Sequence, residues 1–125
     1  MTALGIVGAL VAVALALVGA AALLAPGRVA SAYGLPAGAE STHGFVRATG
    51  IRDVVIAVVL GATVYFGDRP LLIVVAAAGV ALSLADLFNA YHTGGRRWRR
   101  EHVSHLGGIV AFVLVLTMAL FAIGM

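Results

Sequence analysis

Arg47, Arg52 and Asp53 stand inside Phe45 to Val55, at the head of a run that is otherwise lipid-soluble. A charge within a membrane span is costly, so it faces a bundle interior or an interface and marks a functional site by default. A second carboxylate, Asp86, closes another apolar run together with Asn89, Tyr91 and His92, and His105 lies near the start of a third. Two carboxylates, a guanidinium and an imidazole around one cavity can divide into a proton donor and a proton acceptor when their environments differ. Asp53, Asp86, Arg52 and His105 are therefore the candidate catalytic residues. Arg47, Asn89, Tyr91 and His92 are the candidate ligand-binding residues beside them.

The residue types also exclude chemistry. There is no cysteine, so disulfides, thiolate nucleophiles and Cys-ligated zinc are ruled out. Glu101, His102, His105 and His92 are the residues a metal would draw on, but their spacing matches no recognised ligand motif, and no metal or other cofactor is expected. All eight basic residues are Arg, which binds phosphate and carboxylate through a planar fork and stays charged when desolvated. The longest basic run, Arg96 to Arg100, is short and tied between two apolar segments, so lipid phosphate is its counter-charge rather than nucleic acid.

The elements that must position these residues are apolar helices. The chain has 125 residues, 62% hydrophobic and 10% charged, against roughly 25% charged in soluble domains. It reads as one all-α domain over residues 1–125, an integral membrane four-helix antiparallel bundle with spans at about 3–25, 45–66, 71–92 and 102–125. Pro26-Gly27 ends the first span, and no basic residue precedes it, so it reads as a retained span and not a signal peptide. Residues 26–44 form a polar, Gly- and Pro-containing connector in which Val29, Tyr33 and Leu35 can lay a short turn on the headgroup region. Gly67-Asp68-Arg69-Pro70 is a tight turn, which makes the second and third spans antiparallel neighbours. Seven of the eight Arg fall on the side of the first and third connectors. The positive-inside rule places that side in the cytoplasm of a multi-pass cell-membrane protein, with both chain ends outside.

Depth and helical spacing then bring the polar residues together. At 1.5 Å per residue Asp53 lies roughly 12 Å along its span, and Asp86 roughly 9 Å before the end of the next. Gly50, Asp53, Ala57 and Gly61 form one small-residue stripe, Gly79, Ser83, Asp86 and Ala90 a second, and His105, Gly108 and Phe112 a third. Small stripes mark helix contacts in membranes, so Asp53, Asp86 and His105 point inward at one level. Arg52 lies about 100° around from Asp53, placed either to reach a headgroup or to fold back across the rim. The same stripes leave a homo-oligomer open.

Several segments resemble the small four-span proteins of the family called domain of unknown function 4267. They are Ala25-Pro26-Gly27-Arg28-Val29-Ala30, Tyr33-Gly34-Leu35-Pro36, Gly50-Ile51-Arg52-Asp53, Asp86, His92-Thr93-Gly94-Gly95 and His105-Leu106-Gly107. The resemblance covers nearly the whole chain and implies the four-span architecture and a shared role for Arg52, Asp53, Asp86 and His105, without an activity.

Two functions follow as expectations. In the first, the polar set binds an apolar small molecule arriving through the bilayer and transforms it by carboxylate acid/base chemistry, of the epoxide-hydrolase or isomerase kind, with Asn89 and Tyr91 positioning water. In the second, the protein is a non-catalytic lipid- or partner-binding module and the Arg, Asp and His residues form a structural clamp.

Overall fold

A computed structural model describes residues 1–33, 35, 38–93 and 102–125, with backbone alone at Thr93 and at residues 102–104. The described residues are helical: α1 (Ala3–Leu24), α2 (Pro26–Ala32), α3 (Glu40–Phe66), α4 (Arg69–Thr93) and α5 (His102–Leu120). Three helices are long and apolar enough to cross a membrane, over Ala3–Leu24, Glu40–Phe66 and Arg69–His92, whereas the apolar stretch of α5, His105–Leu120, is shorter. The protein is an all-α membrane bundle.

Local chemistry sets the ends. The Thr2 hydroxyl accepts the Gly5 amide at 3.0 Å and caps α1. Ala25, forced out of the helical region by the following proline, separates α1 from α2, and Pro26 starts α2 where its missing N–H costs nothing. Gly67 takes the left-handed conformation at φ 69° and ends α3. One residue later the Asp68 carboxylate accepts the Leu71 amide at 2.9 Å and opens α4. Two boundaries differ from the sequence expectation. The connector at 26–44 is partly folded into α2, and α3 begins at Glu40, whose carboxylate in the first turn favours the helix N-terminus. At the other end α5 stops at Leu120 instead of running to Met125: Ala122 turns at φ 54°, the Ile123 amide donates back to the Met118 carbonyl at 2.9 Å, and the Gly124 carbonyl then accepts the Leu4 amide at 3.2 Å.

The long helices pack as two tight antiparallel pairs, α1 with α3 and α4 with α5. In the first pair Gly8 meets Val64, Ala12 meets Gly61 and Gly19 meets Gly50, a falling register that only opposed helices give. Backbone meets backbone where both residues are glycine: a Cβ on Gly19 would lie 2.8 Å from the Gly50 carbonyl oxygen and 2.8 Å from a Val54 methyl. The second pair repeats the device, with the Phe112 ring seated on Gly79 and Ser83 against Gly108. Without water to drive apolar burial, such backbone approach is how membrane helices gain dispersion energy. Contacts between the pairs, α3 with α4 and α1 with α5, are sparser. Leu4, Ala12, Leu60, Leu72, Ala76, Phe112 and Val115 close the middle of the bundle. Short α2 seats Ala30 against Ala22 of α1 and Val46 of α3, over one end.

Candidate functional site

The end of the bundle beneath α2 carries the charges. Asp53 is a buried position on the inward face of α3, one turn beyond the Gly50 that touches α1. Asp86 lies on α4 one turn beyond Ser83, and His105 on α5 one turn before Gly108. Because Ser83 and Gly108 are in contact, equal steps along antiparallel helices bring Asp86 and His105 to the same level.

Arg52 joins the two carboxylates. Its side chain folds back across α3 instead of reaching outward. Nη1 and Nη2 donate to the two oxygens of Asp86 at 3.1 and 2.7 Å, a bidentate charge-assisted pair. Nε and Nη2 donate to Oδ1 of Asp53 at 3.3 and 3.1 Å. The two carboxylates are thus held unequally. Asp86 has both oxygens engaged and a side chain 30% exposed, whereas Asp53 offers one oxygen to Arg52 and is only 10% exposed. Among the described residues Oδ2 of Asp53 accepts no hydrogen bond.

Tyr33 completes the set from the connector. It caps α2, its amide donating to the Val29 and Ala30 carbonyls at 3.0 and 3.1 Å, and its ring lies 5.2 Å from the His105 ring at an interplanar angle of 34°. Burial pushes the phenol above its ordinary pKa, the charges of Asp53 and Asp86 push it further, and Arg52 opposes them. The hydroxyl is therefore a neutral donor. By sequence Tyr33 reads as part of a headgroup turn, because nothing in its neighbours announces that α2 folds over the bundle.

The other candidates are dispersed. Arg47 is exposed on α3 and makes no ion pair among the described residues. On α4, Asn89 is exposed and Tyr91 half-buried, both past Asp86 toward the helix end. The exposed His92 ring packs 4.2 Å from Phe88 and 5.9 Å from Tyr91, an aromatic group on the helix flank and not part of the Arg52 set. Arg96, Arg97, Trp98, Arg99, Arg100 and Glu101 lie outside the described residues, as does the side chain of His102. Among the described residues no group of three or more His, Asp or Glu could hold a metal ion.

A cavity of about 150 Å³ opens at the opposite end of the bundle, between Leu4, Thr63, Arg69 and Leu72. Its one charged group is committed: Arg69 Nε and Nη2 donate to the Ala119 and Leu120 carbonyls at 2.7 and 2.9 Å and cap α5. That role too was illegible in the sequence, where Arg69 reads as a turn residue. The space there is mainly apolar, whereas the titratable groups that the fold brings together are Arg52, Asp53, Asp86, His105 and Tyr33.

Comparison with known proteins gives one finding. The model of the family described as Domain of unknown function (DUF4267) matches residues 12–120, a span that holds every one of these five residues. No curated protein and no solved structure matches the chain.

Proposed function

This chain belongs to the DUF4267 family, whose description assigns no activity, and from the site geometry we propose that it binds an apolar small molecule and transforms it by acid/base chemistry at Asp53 and Asp86. The observation that carries this reading is the unequal hold of one guanidinium on two carboxyls. With both carboxyls ionised the set has one excess negative charge, which is costly in a low-dielectric bundle. It is electrically neutral when one carboxyl keeps its proton, and that state has an acid and a base side by side. Asp86, gripped through both oxygens, suits the carboxylate; Asp53, with Oδ2 unclaimed, suits the acid.

For an epoxide the step balances as hydration. Water attacks a ring carbon and gives its proton to Asp86, the ring C–O bond breaks, and the alkoxide oxygen takes the proton of Asp53. The product is a diol, and proton exchange with solvent through half-exposed Asp86 resets the pair. The site is at the membrane edge, because Asp86 is 17 residues along α4 from Arg69 and so roughly 25 Å across a hydrocarbon core of about 30 Å. The positive-inside rule, applied to the Arg-rich sequence that follows α4, supports a cytoplasmic position for that edge.

Purified protein in nanodiscs, incubated with 1,2-epoxydodecane and related lipophilic epoxides, is expected to release diol detectable by mass spectrometry. Asp53→Asn and Asp86→Asn should each abolish release while circular dichroism stays unchanged. Full turnover by both variants would remove the carboxylates from the chemistry.

A second reading has its own support, since the Arg52–Asp86 pair crosses the sparse seam between the helix pairs. Here the set is a clamp in a non-catalytic module that binds lipid or a partner chain. Native mass spectrometry that finds retained lipid and no turnover would favour it.

A further inference from the structure

The proposed acid leaves open what the site recognises, and Tyr33 bears on that. Three observations place it. Its backbone is fixed by the end of α2, whose Ala30 is fully buried against α1 and α3. The ring is held from the far side by His105 on α5, at 5.2 Å. The phenol nevertheless donates to no acceptor among the described residues, although it is half-buried and close enough to Asp53 and Asp86 for both charges to oppose its ionisation. A sequestered hydroxyl without a partner forfeits hydrogen-bond energy unless something else supplies the acceptor.

Oδ2 of Asp53 is a second such group, on a side chain nine-tenths buried. When Asp53 holds its proton, both groups are donors and neither has a protein acceptor among the described residues. Resting on the acid/base reading, we propose that Tyr33 and Asp53 form a pair of hydrogen-bond donors that holds one neutral acceptor oxygen of the ligand. The ligand class is then an apolar molecule bearing an epoxide or carbonyl oxygen. A carboxylate head is disfavoured because Asp86 already occupies the guanidinium of Arg52 through both oxygens. An ammonium head offers donors where the site already has two. The carbonyl or epoxide oxygen gains charge as its bond polarises, and paired donors fixed before the reaction stabilise that charge at no cost of reorganisation.

The test uses 2-dodecanone labelled with carbon-13 at the carbonyl, bound to the full-length protein in nanodiscs and read by infrared difference spectroscopy. Two donors lower the carbonyl stretching frequency below its value in the bilayer. Tyr33→Phe keeps the ring and its stacking on His105, so the stretch should move part of the way back and affinity should fall about fivefold, the worth of one net hydrogen bond. Dodecylamine and dodecanoate should displace the ketone poorly. Bound ketone whose stretch and affinity are unchanged in Tyr33→Phe overturns the role of Tyr33 and leaves the acid/base reading standing. Displacement by dodecylamine at lower concentration than unlabelled ketone overturns the ligand class. Failure of both the ketone and the epoxides to bind wild-type protein rejects the inference together with the reading beneath it.

Discussion

Arg52 is the residue whose loss should damage the bundle most. Replacing it with Met keeps much of the stem and removes four donor contacts, at 2.7 and 3.1 Å to Asp86 and at 3.1 and 3.3 Å to Asp53. What remains is the Asp86 carboxylate with no cation, beside the Asp53 carboxyl. Breaking a buried pair by deleting one partner costs about 3–5 kcal/mol, because the surviving charge is left unpaired. The side chains of Arg52 and Asp86 are 32% and 30% exposed, so water screens part of that cost and the low end, about 3 kcal/mol, is expected. Asp86→Asn is a milder change: Arg52 keeps Asp53 as its counter-charge, and the loss should be about 1 kcal/mol. The charge-free triple variant Arg52→Met, Asp53→Leu, Asp86→Leu should regain much of the stability lost in Arg52→Met. Reversible unfolding in mixed micelles, followed by far-ultraviolet circular dichroism, measures all three. An Arg52→Met variant no less stable than Asp86→Asn would refute the reasoning that unpaired charge, and not lost contact, dominates this site.

Packing and titration give two further tests. Gly19→Ala puts a Cβ 2.8 Å from the Gly50 carbonyl and should cost about 1–3 kcal/mol as α1 and α3 separate, whereas Gly61→Ala meets only the Ala12 methyl at 4.0 Å and should be neutral or slightly stabilising; equal effects in the same micelle assay would deny that backbone contact sets the pair. Tyr33, its phenol raised above the ordinary value of 10.0, contributes nothing pH-dependent below about pH 9, where both states are neutral. Above about pH 10 the unfolded phenol ionises first, so stability falls until the folded phenol ionises as well. Tyr33→Phe should remove that part of the alkaline loss, and an identical pH profile in the variant would mean that the phenol is neither shielded from water nor in the field of the two carboxylates.

The inward stripes were legible because membrane helices advertise contact by small residues at three- and four-residue spacing. Gly8, Ala12 and Gly19 on α1, Gly50, Asp53 and Ala57 on α3, and Gly79 on α4 are all buried. The meeting of Asp53 with Asp86 followed from that pattern and the tight turn at Gly67. The bearing of Arg52 did not, because a long flexible side chain reaches either way from the same Cα, and only the position of Asp86 decides between them. Nor did Tyr33 or Arg69 stand out. Each acts through an element far away in sequence, Tyr33 on α5 and Arg69 on the last carbonyls of the same helix, and neither partner leaves a periodic signal. The early start of α3 was hidden for a similar reason. Residues 40–44 are polar and read as loop until α2 is there to pack against the helix they belong to.

The position of the charges within this packing bears on what they do. Stability in the bundle comes mainly from the two glycine-lined pairs, which need no polar group. A clamp at the seam between the pairs contributes little where membrane hydrogen bonds average about 0.6 kcal/mol, and it imposes the desolvation of three ionisable groups. A ligand site has the opposite requirement. On the proposed reading it would lie where two helix pairs meet, and the α3–α4 seam is such a place because its contacts are sparser than those within either pair. Arg52 links Asp86 to α3 across that seam, while Asp53 offers it one oxygen. On this view locking the seam is the decisive perturbation: a cross-link between α3 and α4 near the site should raise stability and abolish ligand uptake, whereas a clamp would keep its function when locked.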